Sequence, residues 1–223
     1  MTNKAHCKDK PLIHKLRYLM RSSSYKDWFK AYQLVQNKTP ENIKTFDDFD
    51  SFFKLDIKAF YINNMVYDLE MDLYNEGRDD LNLLKMRVEF CRWVYQQFSQ
   101  ESDLNIANFR NFEAESLWEI GGTEQAEKLF QDLITDFPDF AYGYIYYADA
   151  HWQSNWSYQH EPNYAKAESI YRQALKKPKM EDIAVVQERL DDMLFEKKHP
   201  EEREKIKKTR LKHIQSRKNL SPS

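Results

Sequence analysis

Along most of this chain apolar residues return every three or four positions, the spacing that lines up one face of an α-helix. Leu12–Met20 follows that spacing. "SSSYKDWFKAYQLVQNK" offers Ser24 as N-cap ahead of Trp28, Tyr32, Leu34 and Val35, and the run Lys38-Thr39-Pro40 stops it. "TFDDFDSFFKLD" predicts a short helix capped by Thr45 or Asp47. From about Ile57 the predicted helices lengthen and come in pairs: one ending at Gly77 and one through "LLKMRVEFCRWVYQQF", then "IANFRNFEAESLWEI" with "TEQAEKLFQDLITDF", then "FAYGYIYYADAHW" with "NYAKAESIYRQAL". A last helix, Glu181–Lys198, puts Val186, Leu190, Met193 and Leu194 on one face and turns Glu188, Asp191 and Asp192 outward.

Two of these pairs are copies of one another. Arg110, Ala114 and Trp118 recur as Tyr144, Ala148 and Trp152, each 34 positions later. Ala126, Phe130 and Leu133 recur as Ala167, Tyr171 and Ala174, each 41 positions later. The later copy therefore carries seven extra residues between its helices. The earlier copy turns on Gly121-Gly122, half of the 4 glycines in the chain. That glycine pair ends one helix, and Thr123 is placed to cap the next.

These residues resemble the tetratricopeptide repeat (TPR) family, whose units of about 34 residues are helix–turn–helix. Ala114, Leu117, Gly121, Ala126, Phe130 and Pro138 fit the family spacing. So do Tyr144, Tyr147, Ala148, Tyr164, Ala167, Tyr171 and Ala174, with Pro178 one place early. Asn105–Pro178 carries the likeness well, and Ile57–Ser99 only loosely, through Leu73, Gly77, Arg87 and Val94. The resemblance implies an all-α, TPR-like right-handed superhelical array of antiparallel helix pairs over 57–198, with a helical N-terminal extension (1–56) and a basic C-terminal tail (199–223).

Composition agrees with helices. Only 4 Gly and 7 Pro among 223 residues leave few turns for an all-β chain, and 15% aromatic residues are too many for general disorder. No apolar run approaches a membrane span, and the N-terminus lacks the pattern of a secretory signal. Cys7 and Cys91 stand far apart, fitting a reducing, cytoplasmic setting with Cys91 as an inert buried thiol. The net charge of −2 conceals an asymmetry. From residue 196 onward ten Lys/Arg face four Glu, so the rest of the chain is acidic by eight charges.

Three places could carry function. The first helices of successive pairs would line a concave groove that, by the resemblance, receives a peptide. Its face would hold Trp118 and Trp152, Tyr74 in the corresponding place, and Glu115, Asp149 and Glu119 beside them. An aromatic and acidic face suits Lys/Arg next to apolar anchors. The alternative is that the N-terminal helices, which must bury Trp28, Phe29, Phe52 and Phe53, fold across the groove and cover the tryptophans. The inserted loop, 153–163, adds Trp156, Tyr158, His160 and Glu161, with His151 at its entry. The basic tail is the third.

The expected function is a non-catalytic, cytoplasmic adaptor or scaffold that binds a protein or peptide partner, without cofactor or metal. Two alternatives stand beside it. One is a nucleic-acid-associated regulator using the basic tail, whose binding would fall steeply with salt. The other is a metal or catalytic site around His151 and His160, although neither has ligand spacing.

Overall fold

The computed structural model describes residues 9–21, 24–54, 61–153, 161–201, 203–205, 208–209 and 212. The protein is all-helical: α1 Lys10–Leu19, α2 Tyr25–Gln36, α3 Phe46–Phe53, α4 Ile62–Gly77, α5 Leu81–Gln97, α6 Asp103–Glu119, α7 Thr123–Asp136, α8 Ala141–Trp152, α9 Tyr164–Ala174 and α10 Ile183–Lys198. An eleventh helical segment, α11, starts at residue 200. Helices pack on their neighbours in sequence: α1 on α2, α4 on α5, α7 on α8, α8 on α9, and α9 on α10. Two compact units divide the chain, Met1–Ser116 and Leu117–Ser223.

In the first unit the early aromatic residues have a core of their own. α2 and α3 both pack on α4. Phe53 is fully buried, and Trp28, Phe29 and Phe52 lean on the same cluster as Leu69, Leu73, Phe90 and Val94. Phe46 and Phe49 meet Phe98 with ring centroids 4.9 and 5.8 Å apart, and the Tyr32 ring stands edge-on to Phe90 at 5.0 Å. Such offset and edge contacts add to the roughly 1.5–3 kcal/mol from burying each large side chain. Local chemistry starts the helices where expected. Thr45 Oγ1 accepts the Asp48 N–H at 3.1 Å, while Ser24 stands at the N-cap of α2 without a side-chain capping bond. Gly77 ends α4, where a Cβ would come within 2.6 Å of Leu84. Its lack of a side chain lets α5 close on α4, a different task from that of Gly121.

The second unit opens on the paired glycines. Gly121 has φ +88°, and its N–H bonds to the Trp118 carbonyl while the Gly122 N–H reaches the Leu117 carbonyl at 2.8 Å. These are the two bonds of a Schellman ending, which satisfy carbonyls α6 would otherwise leave open. Gly122 is the N-cap of α7 and Thr123 its first residue, with no side-chain cap. Thr123 therefore does not cap as the sequence suggested, because the six-residue bond to Leu117 has already set the chain's direction.

The alanine and aromatic positions that recur at the 34- and 41-residue offsets are buried. Ala114, Ala126 and Phe130 are fully covered, and so are Ala148, Ala167 and Tyr171. Alanine at a crossing leaves only a methyl between backbones, so α8 and α9 approach closely. Phe130 stacks on Tyr147 at 5.2 Å, joining α7 to α8. Val186, Leu190 and Met193 of α10 cover the next face, and Glu188, Asp191 and Asp192 point outward. Among the described residues no helix is long and apolar enough to cross a membrane.

Asp50 joins α3 to α4 by accepting the Ile62 N–H at 2.9 Å. Burial, with the nearby Asp47 charge, pushes its carboxyl from 3.8 up to about 7 against the lowering effect of that bond. The folded protein thus holds this proton more tightly than the unfolded chain. Stability from this group is full below 3.8 and is lost as pH rises toward about 7. Asp50→Asn should flatten that part of the pH–stability curve and raise stability at pH 8 relative to wild type, measured by urea denaturation across the range.

Candidate functional site

A buried charge can persist only where fixed partners surround it. Arg87 of α5 is such a charge, 1% exposed. Its Nε donates to Glu70 Oε1 of α4 at 2.7 Å, and its Nη1 donates to Glu115 Oε2 at 2.9 Å and Ser116 Oγ at 2.7 Å, both of α6. The guanidinium lies over the Tyr74 ring at 4.4 Å and near Phe112 at 5.2 Å. Burial opposes the charge, but Glu70 and Glu115 outweigh it and raise the Arg87 pKa. Burial also pushes Glu70 up while Arg87 pulls it back. Tyr74 and Glu115, expected on an open groove, are engaged here in tying α4, α5 and α6 together. Glu113 of α6 adds a second tie, accepting Tyr95 Oη at 2.7 Å and Arg92 Nε at 2.9 Å from α5.

The second unit repeats the device with the opposite sign. Asp149 of α8 is 8% exposed, accepts the Trp152 Nε1–H at 3.1 Å, and takes the Tyr171 hydroxyl of α9 and Arg189 of α10. Trp152 also donates to Tyr171 Oη at 3.0 Å and is 3% exposed. Burial raises the Asp149 pKa, and Arg189 and Tyr171 work against that rise. Asp149 and Trp152 are therefore brought together inside the packing of α8, α9 and α10. Trp118 is buried as well, edge-on to the His151 ring at 4.9 Å. Glu119 is half-buried at the end of α6. Trp156, Tyr158 and His160 lie outside the described residues, as does most of the basic tail.

The second unit also holds an opening. A cleft of about 390 Å³ is lined by Trp118, Thr123, Glu124, Glu127, Ala150, His151, Glu161 and Asn163. It lies where the α6–α7 turn, the first turns of α7, the end of α8 and the approach to α9 meet. Glu124 and Glu161 are exposed, and Glu127 is half-buried. Glu127 Oε2 accepts the Tyr147 hydroxyl, and its Oε1 stands 2.9 Å from His151 Nε2. Burial, with the Lys166 charge, lowers the His151 pKa against the raising effect of Glu127. Lys166 sits over the Tyr147 ring at 5.4 Å as the near positive charge.

The sequence pointed to Trp118, His151 and Glu161 here, but Glu124 and Glu127 were missed. Their one-turn spacing on α7 was the available signal, and it reads equally as a solvated face. Among the described residues no group of three or more His, Cys, Asp or Glu is arranged to hold a metal ion.

Replacing Arg87 by Met strands Glu70 and Glu115 and should cost about 3–5 kcal/mol. Adding Glu70→Leu should recover part of it, as read by urea denaturation of the single and double variants. A single variant within 0.5 kcal/mol of wild type would place the stabilisation elsewhere. No family model, curated protein or solved structure matches the chain at a significant level.

Proposed function

We propose that the chain is a TPR-like array serving as a non-catalytic interaction module for a partner protein or peptide that presents basic side chains. One observation carries the reading. The copied positions Ala126/Ala167, Phe130/Tyr171 and Leu133/Ala174 are all fully buried, so successive helix pairs are built for stacking on one another. A stack of that kind leaves a run of helix ends and faces to water, which is the usual binding surface of repeat proteins. Fold likeness alone does not fix a function, and the charge of the surface narrows it. Glu124, Glu127 and Glu161 gather at one opening with no Lys or Arg among its lining residues. A chain that is acidic by eight charges outside its last segment also favours a basic partner on electrostatic grounds.

This reading moves the binding surface expected from the sequence. Glu115 and Asp149 are engaged inside the packing by Arg87 and Arg189, Arg87 being shared with Glu70. Glu124, Glu127 and Glu161 are the carboxylates that line the cleft.

Selection of a random peptide library against the full chain tests it. Enriched peptides should carry Lys or Arg beside apolar residues, bind saturably, and cross-link to α7–α9. A selection that enriches nothing saturable, or only acidic peptides that cross-link within residues 199–223, would overturn the proposal and favour a role for the basic tail.

A further inference from the structure

We infer that the outer face of α1 binds single-stranded RNA, with the Tyr18 ring stacking on a base and Lys10 and Lys15 meeting the phosphates. This surface belongs to the first unit and stands independently of the interaction-module reading. Charge marks it first. Eight Lys/Arg stand against two Asp in residues 1–30, whereas residues 31–195 carry sixteen Lys/Arg against thirty Asp/Glu. The acidity of the chain is therefore confined to its middle, and its first thirty residues are basic by six charges. Six of those eight cations lie between Lys10 and Lys30, among the described residues.

Helix packing sorts these groups by face. Leu12, Ile13, Leu16, Leu19 and Met20 turn inward onto the aromatic core, and Arg17 reaches back to the Lys54 carbonyl. The exposed side holds Lys10, His14 and Tyr18 at every fourth residue, with Lys15 three before Tyr18. Tyr18 is 74% exposed, the most of any large hydrophobic side chain among the described residues. Neither Lys10 nor Lys15 pairs with a carboxylate among the described residues. The two nearby acids are engaged locally, Asp9 accepting the Leu12 N–H at 3.0 Å and Asp27 bound to Lys30 at 2.9 Å. A ring held in water between unpaired cations is the second observation, and it concerns shape as well as charge.

The occupant follows from what this face offers and lacks. A helix that lies in a bilayer surface enters with its apolar side, and that side of α1 is already packed in the core. An acidic peptide would use the lysines but brings no flat group to the exposed ring. A single strand of nucleic acid uses both, its phosphates meeting the cations while an unstacked base lies on the ring. A duplex keeps its bases stacked, and RNA is the nucleic acid whose loops and ends leave bases free. From Lys10 to Tyr18 the face runs about 12 Å along the helix, a platform for a few nucleotides. Lys26, 5.9 Å from the Tyr25 ring centroid in the first turn of α2, adds an exposed cation beyond the turn.

The experiment titrates a short fluorescent oligouridine with the full chain and follows its anisotropy. Binding should saturate and weaken with added salt. The basic tail also attracts polyanions, so the deciding readouts are on α1. Tyr18→Ala should weaken binding about tenfold at an unchanged salt slope, while Tyr18→Phe stays within about twofold of wild type. Lys10→Gln/Lys15→Gln should weaken it at least about fivefold and lower the salt slope by about one. Binding to a fully paired RNA duplex should not respond to Tyr18→Ala. The substituted residues are exposed, so each variant should keep the wild-type urea midpoint, and that is checked first. Absence of saturable binding, or binding that none of these α1 substitutions changes, overturns the proposal. So does binding lost in full-length Lys205→Gln/Lys208→Gln/Lys212→Gln and kept in the α1 variants. Tighter binding of the deoxy oligomer overturns the choice of RNA, and α1-dependent binding to phosphatidylserine vesicles without RNA binding would assign the face to a membrane instead.

Discussion

A charged group inside a stack of helices must find its counter-charge on a neighbouring helix, and the packing of this protein depends on that constraint. Arg87 is held from α4 and α6, and Asp149 from α9 and α10. In each unit one buried charge on one helix engages two others. Apolar contacts alone fix helix register loosely, because alternative packings of similar area differ little in energy. A buried ion with a single set of partners has no such alternatives, since sliding the helix strands the charge. The alanine crossings bring the helices close enough for these ties, and the ties then fix which residues face one another.

The helices were largely legible in the sequence because amphipathic spacing and end signals act locally. The fixed offsets of Ala114/Ala148 and Ala126/Ala167 were visible in the sequence, and each of these four alanines is buried. The destination of the charges could not be read. Glu115 and Asp149 sit at the helical spacing of a solvated acidic face, and nothing near them in sequence reveals that Arg87 and Arg189 reach them from 28 and 40 residues away. The aromatic residues of the N-terminal helices presented the same difficulty. Their burial place, the cluster around Leu69 and Phe90, depends on tertiary contacts and not on local pattern.

The same physics separates structure from surface in the second unit. Trp152 and Asp149 satisfy each other with Tyr171 and Arg189, which accounts for a tryptophan and an aspartate recurring at helical spacing without any ligand. One helix end away, Glu124 and Glu161 remain exposed at the cleft. Satisfied polar groups hold the stack together. The opening lies where two helix pairs adjoin, lined by Trp118, Thr123, Glu124 and Glu127 from α6–α7 and by Ala150, His151, Glu161 and Asn163 from α8 and the approach to α9.

Hydrogen exchange on full-length Arg189→Met is the most direct test of the stacking account. Removing that cation leaves Asp149 buried without its counter-charge, so α8 and α9 should lose protection together with α10. The expected acceleration is on the order of a hundredfold, with α1–α5 unchanged. Faster exchange confined to α10, with α8 and α9 protected as in wild type, would contradict the claim that a buried charge ties these three helices into one unit.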